Sequence, residues 1–183
     1  MKKYLITSRE FYTDTPAVFR SILHEQLRKH FPDFVLYRDK HNPNYKLQAE
    51  HFMEVCNQFE GIKSFIHEDI GLAKKLHVSG VHLPSKSLED IPKAKDVGLE
   101  VIVSTHTYAE VLKAQELGAD MVTYSPIFAS PNKGEPKGID DLKKLVSKVD
   151  IDIFALGGII SEKQIELIKE SGAYGFASIR YFY

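Results

Sequence analysis

Eight short apolar segments of strand character alternate with stretches of helical period from one end of the chain to the other, and no other feature restricts the fold as much. Strands are expected near 2–7, 33–38, 62–67, 79–84, 99–104, 120–125, 151–156 and 174–179. Helices are expected over Pro16–His30, Asn44–Glu60, Ile70–Leu76, Leu88–Val97, Tyr108–Leu117, Asp140–Lys148 and Glu162–Glu170. In the second of these, Leu47, Phe52, Val55 and Phe59 return at helical spacing. Gly80, Gly98, Gly118 and Gly172 sit where helices end and strands begin, as left-handed C-terminal caps require. Parallel strands need crossover connections and eight of them close a sheet, so the expected class is α/β, a (β/α)8 TIM barrel. A doubly wound open sheet is the alternative.

The chain is short for such a barrel: 183 residues against about 250 in a typical one. It stops at Tyr183 with no room for a full eighth helix. With no linker or low-complexity tract, residues 1–183 are expected to form a single barrel domain. One cysteine, Cys56, excludes an internal disulfide and a cysteine-built metal site, in keeping with a cytoplasmic location. Lys+Arg 24 against Asp+Glu 25 gives a net charge of -1, which offers no electrostatic reason for a nucleic-acid or membrane partner. No signal peptide or spanning segment is legible. The aromatic tail Ile179–Tyr183 would expose Tyr181, Phe182 and Tyr183 unless it packs below the barrel or on a neighbour, and a homodimer is expected.

Barrel chemistry sits at the C-terminal ends of the strands, and here those ends are polar: Thr7 and Ser8, Arg38 and Lys40, His67 with Glu68 and Asp69, His82 and Ser85, Ser104 and His106, Ser125, Gly157-Gly158, then Ser178 and Arg180. The loop from Pro126 to Gly138 carries Ser130, Asn132, Lys133 and Lys137 among glycines and prolines, a composition suited to holding phosphate through backbone N–H groups and an ammonium. LGGI at 156–159 and FASI at 176–179 follow the seventh and eighth strands, the usual phosphate site of such barrels, with tight packing as the other reason for paired glycines. His24, His30, His51, His77 and His41 are read as surface residues and His82 as an interior, hydrogen-bonded one. His106 stands two residues past Ser104, where an imidazole can move a proton near neutral pH or simply cap the next helix. Glu68 and Asp69 suit a magnesium ligand or acidic first-turn residues equally.

The stretch IVSTHTYAEVLKAQELGADMVTYSPIFASPNKGEPKGIDDL resembles the central region of thiamine phosphate synthases and their TenI relatives. ALGGI, SGAYGFASIR, YRDK and SGVHLPSKSL resemble flanking motifs of that family, in register from Arg38 to Arg180. The resemblance implies a (β/α)8 fold and a phosphorylated thiazole as ligand. Arg38, Lys40, Ser130, Asn132 and Lys133 would face a diphosphate; Gly157, Gly158, Ala177 and Ser178 would hold the thiazole phosphate. Ser104 would lie near the pyrimidine of a synthase, and His106 matches the acid/base histidine of TenI-type tautomerases. Three departures stand out: Leu36 replaces a glutamine, His67-Glu68 an Asn-Asp pair, and Pro84-Ser85-Lys86-Ser87 a G-Q-x-D motif. Two of the lost positions are the family's magnesium aspartates, so only Glu68 would remain as a metal ligand. A metal-independent tautomerase using His106, with no required cofactor, is therefore the expected function. A synthase using Mg2+, or a non-catalytic thiazole phosphate-binding barrel, are the alternatives.

Overall fold

The computed structural model describes residues 1–183 and closes eight parallel strands into a barrel in chain order. The strands are β1 (Lys2–Ile6), β2 (Phe34–Tyr37), β3 (Lys63–His67), β4 (Gly80–Leu83), β5 (Glu100–Thr105), β6 (Met121–Tyr124), β7 (Asp152–Leu156) and β8 (Gly175–Ser178). The crossovers are α1 (Arg9–Tyr12) with α2 (Pro16–His30), then α3 (Tyr45–Cys56), α4 (Ile70–Leu76), α5 (Ile91–Asp96), α6 (Tyr108–Glu116), α7 (Gly138–Val146) and α8 (Glu162–Glu170). After β8 comes a single 3-10 turn, Arg180–Phe182, so the place of a helix following the last strand is taken by one turn.

Three elements differ from the sequence expectation. The four-residue helix α1 occupies what reads as loop between β1 and α2. The second expected helix ends at Cys56, because Gln58 and Phe59 donate to the carbonyls three residues back and wind into tighter turns. The helix expected from Leu88 begins at Ile91, preceded by a 3-10 segment, Ser85–Asp90. Pro92 explains the late start: its fixed φ and missing N–H suit the first helical turn and no later one.

The strands alternate strictly. Outward residues such as Leu5, Val35, Ile66, Val81 and Phe176 pack under the helices in a cluster of 38 buried side chains. Inward residues form a second cluster of nine, among them Tyr4, Phe34, Phe65 and Phe154. Ring centroids 5.1 to 6.1 Å apart knit these four aromatics into a plug across the lower barrel. Two glycines leave room for it: a Cβ on Gly80 would lie 2.4 Å from Phe65, and one on Gly175 2.6 Å from Phe154. Large side chains on some strands thus face none on others, and the plug becomes the floor of the space above it.

The tail packs on its own barrel. Phe182 is fully buried, stacked on Phe176 of β8 at 5.6 Å and met edge-on by His30 at 5.4 Å. This corrects one expectation, the surface reading of His30, and selects its own barrel from the two places offered for the tail. His30 is half-buried, with its pKa lowered mainly by burial, and is no surface histidine. Of the tail aromatics that motivated a homodimer, only Tyr183 keeps substantial exposure, 52%, with one face on Phe11 of α1 at 4.5 Å. No helix is long and apolar enough to cross a membrane.

Candidate active site

A cavity of ≈ 880 Å³ opens at the C-terminal ends of the strands. Of the residues expected to form the site, Arg38, Lys40, Ser104, His106, Ser130, Lys133, Gly157, Gly158 and Ser178 all line it. Three do not. Ala177 lies in the barrel interior. Asn132 is at the exposed tip of the β6–α7 loop in a left-handed conformation. Glu68 stands outside the rim. Lys137 is also diverted, its ammonium 4.9 Å above the Tyr124 ring.

On the β7–β8 side the wall is backbone. Ile127 and Phe128 donate N–H bonds to the carbonyls of Leu156 and Gly157, at 2.9 and 3.1 Å, docking the loop after β6 onto the loop after β7. That contact leaves no space for side chains: a Cβ on Gly157 would lie 2.7 Å from Pro126 Cα, and one on Gly158 2.4 Å from the Ala129 carbonyl. Both residues have positive φ, 103° and 70°, which glycine alone adopts without strain. Close packing therefore accounts for the glycine pair by itself. It also frees donors: the N–H groups of Gly157, Gly158, Ile159 and Ile179 have no acceptor within the chain. Unpaired backbone N–H groups on neighbouring loops are the material of an anion-binding concavity. The Ser178 hydroxyl is already committed, donating to the Ile159 carbonyl at 2.8 Å and accepting from the Tyr181 N–H at 3.2 Å. It braces the two loops.

On the β2–β4 side the wall is charged side chains. Arg38 is held by Thr7, whose hydroxyl oxygen accepts the Arg38 backbone N–H at 3.1 Å, and burial lowers its guanidinium pKa. Lys40 is lowered by burial and by Arg38, with Lys86 and Lys133 adding to the positive field and Glu68 opposing it. His67 is pulled down to about 4, chiefly by burial, with Lys40, Arg38 and Lys86 contributing against Glu68. Its Nε2 lies 3.1 Å from Glu68 Oε2 but out of hydrogen-bond alignment, so both ring nitrogens are buried without a partner. Such crowding of cations is stabilised by an anionic ligand.

Magnesium, which the resemblance attaches to a synthase, is bound through one or two carboxylates together with substrate phosphates. Two carboxylates, Glu68 and Asp69, stand after β3, and both are engaged within the chain. Glu68 Oε1 pairs with Lys86 Nζ at 3.6 Å. Asp69 caps α4, accepting the Leu72 N–H at 2.9 Å. No three His, Cys, Asp or Glu side chains converge anywhere in the chain.

His106 precedes α6, whose capping box joins Thr107 and Glu110. The Glu110 carboxylate also accepts the His106 backbone N–H and so fixes the residue at the rim. Its Nδ1 lies 3.3 Å from the Ser125 carbonyl and 3.2 Å from the Ser125 hydroxyl. Nδ1 is thus engaged by Ser125, donating to the carbonyl in one tautomer or accepting from the hydroxyl in the other, and Nε2 has no partner within the chain. At the base of the wall, Ser104 Oγ meets His82 Nε2 at 2.8 Å, and His82 Nδ1 meets the Tyr4 hydroxyl at 2.8 Å, the interior role expected for His82.

Sequence reading missed Glu10 and Phe11 of α1, which line the cavity opposite these groups. The available signal was the length of the β1–α2 connection, Thr7 to Thr15, longer than the few residues such a turn needs.

The family profile described as thiamine monophosphate synthase (TMP-TENI) matches residues 3–182. A putative thiamine-phosphate synthase 2 from Aquifex aeolicus is 33% identical over 185 residues, covering 98% of this chain and 96% of that protein. A thiamine-phosphate synthase from Caldivirga maquilingensis is 31% identical over 138 residues, covering 72% of this chain and 65% of its own length. Thiamine phosphate pyrophosphorylase from Pyrococcus furiosus superposes with a TM-score of 0.81 over 97% of this chain and 85% of that one, and at 23% identity it supports the fold alone. With a profile match over nearly the whole chain and a relative this similar end to end, the chain belongs to the thiamine monophosphate synthase/TenI family.

Proposed function

We propose that this protein binds a phosphorylated thiazole and tautomerises it without a metal, using His106 as general acid/base. The observation that carries the reading is the pairing of two features. One is an imidazole at the rim with Nδ1 engaged and Nε2 without a partner; the other is that the two carboxylates after β3 are already engaged, Glu68 with Lys86 and Asp69 as the cap of α4. Nε2 accepts a proton from one carbon of the heterocycle, and the imidazolium returns a proton to another. The two transfers balance and require no leaving group or redox partner. A positioned acid/base of this kind contributes about 100-fold or more to rate.

The ligand's phosphate is assigned to the N–H groups around Gly157, Gly158 and Ile159, with Ser130 and Lys133 approaching from the β6–α7 loop; Ser178 and Ala177 act there through loop bracing and backbone position. Arg38 and Lys40 complement a second anionic group, the carboxylate of a thiazole carboxylate phosphate. A cytoplasmic location and a dimeric state belong to the same reading.

The synthase reading is favoured by the names of the relatives and by the presence of Arg38, Lys40 and Lys133 together, a cationic set suited to diphosphate. One assay separates the two. Thiazole carboxylate phosphate alone, and pyrimidine methyl diphosphate with thiazole phosphate, are each incubated with Mg2+ or EDTA and followed by absorbance and mass. Tautomer turnover that is unchanged in EDTA is expected. Magnesium-dependent thiamine phosphate formation would overturn the proposal, and binding with neither product would leave a non-catalytic binder.

A further inference from the structure

Beneath the cavity lies a chain of three side chains whose hydrogen-bond directions are fixed by burial alone. Tyr4 is fully buried in the aromatic plug, and its hydroxyl has one partner in the molecule, His82 Nδ1 at 2.8 Å. His82 is 3% exposed, and its other nitrogen has one partner, Ser104 Oγ at 2.8 Å. Two proton arrangements satisfy these distances. In the first, Tyr4 donates to Nδ1, and Nε2–H donates to Ser104. In the second, Nδ1–H donates to Tyr4, and Ser104 donates to Nε2.

The second leaves the Tyr4 proton with no acceptor in a dry, apolar interior, an arrangement that buried hydroxyls avoid. The first satisfies every donor. Protonation of both ring nitrogens is no third choice, because burial, followed by His67, Arg38 and Lys40, pushes the His82 pKa down to about 3. Ser104 is thereby an acceptor toward His82. It has no other partner within the chain, and it lines the cavity. Its one proton is left for whatever occupies the cavity.

We propose that Tyr4 and His82 are positioning residues that take up one lone pair of Ser104 and leave its proton free for the cavity, so that the site favours a ligand presenting an acceptor, a ring nitrogen or an uncharged or anionic oxygen, above Ser104. Without the relay, a serine hydroxyl turns freely and accepts or donates according to the ligand. With it, the Ser104 proton is never spent on His82 and stays available to a ligand acceptor, which gains a hydrogen bond that a ligand offering only a donor does not. The identity of the ligand in the binding arm below rests on the function proposed above; the relay itself does not.

The direct test is a nitrogen-15 spectrum of the histidine rings in the free protein between pH 5 and 8, with His82 assigned by its loss in His82→Asn. The proton is expected on Nε2 throughout, with Nδ1 shifted as a hydrogen-bond acceptor. A proton on Nδ1, a mixture of tautomers, or titration in that range would overturn the relay. A second arm measures thiazole phosphate binding by calorimetry. Ser104→Ala and Tyr4→Phe are each expected to weaken it about 10-fold, the size of one lost hydrogen bond. In the double variant the loss is expected to equal that of Ser104→Ala alone, and Ser104→Thr to restore most of it. Multiplying losses would mean that Tyr4 acts by packing and not through Ser104, against the proposal. If wild-type protein fails to bind thiazole phosphate, the proposed function falls while the spectrum still decides the relay.

Discussion

The β7–β8 side of the cavity is made of backbone, while the β2–β4 side is made of charged side chains. On the first side the glycine pair, the docked loop after β6 and the Ser178 brace hold four N–H groups in place, and the shape depends on what is absent from Gly157 and Gly158. On the second, burial and the neighbouring charges of Arg38 and Lys86 lower the proton affinities of Lys40 and His67 against the opposing charge of Glu68, and a single substitution redistributes the charge. A group recognised by backbone is insensitive to most mutations, whereas one recognised by a side-chain cluster is readily exchanged. On the proposed function, the backbone side serves the phosphate end of the ligand, and that end is the fixed requirement. The other end, together with the use or loss of a metal, is where relatives can diverge.

The largest effect should come from breaking the backbone side. Gly158→Ala places a Cβ against the Ala129 carbonyl at a φ that costs a non-glycine residue about 1 to 3 kcal/mol. Undocking of the loop is expected to cut thiazole phosphate affinity by more than about 100-fold and to lower the melting temperature. Calorimetry and thermal unfolding read the two. On the opposite side Arg38→Ala should cost about 10-fold in affinity for a ligand carrying the second anion, and much less for thiazole phosphate lacking it. Equal losses for both ligands would contradict the division of the cavity.

The two sides should also separate by pH. His67 has a folded pKa of about 4 against an ordinary 6.5, so between these values the unfolded chain binds more protons than the folded one. Its contribution to stability is complete above pH 6.5 and is lost as pH falls toward 4. The melting temperature of wild type should therefore drop toward that of His67→Gln as pH goes from 7 to 4.5. A constant difference would mean that His67 keeps an ordinary pKa. The smallest effect is expected at Lys86, whose side chain is 78% exposed and whose pair with Glu68 is 3.6 Å long. Lys86→Ala should change affinity less than about threefold, as for other solvated ion pairs. A larger loss would show that Lys86 folds into the cavity when ligand binds.

The barrel was legible because strand alternation, helical period and glycine caps agree from β1 to β8. The polar residues at strand ends were legible as a set because the fold gathers them, whichever of them act. Local hydrogen-bond geometry was not legible. Nothing in the sequence distinguishes Ser178, whose hydroxyl is consumed by Ile159 and Tyr181, from Ser104, whose proton is free. Nor does composition reveal that Asn132 and Lys137 of one loop turn away while Ser130 and Lys133 turn in. The helix α1 was hidden for a different reason: four residues are too few to show a period. Family motifs located His106, and only the Ser125 contacts showed which of its nitrogens is open.

The claim that His106 moves a proton on the bound heterocycle is tested most directly by running the tautomerisation of thiazole carboxylate phosphate in D2O with EDTA and weighing the product. One deuterium per turnover is expected for the wild type, at a rate about 100-fold above that of His106→Ala. Product formed at the same rate by His106→Ala, or formed only when Mg2+ is restored, would contradict it.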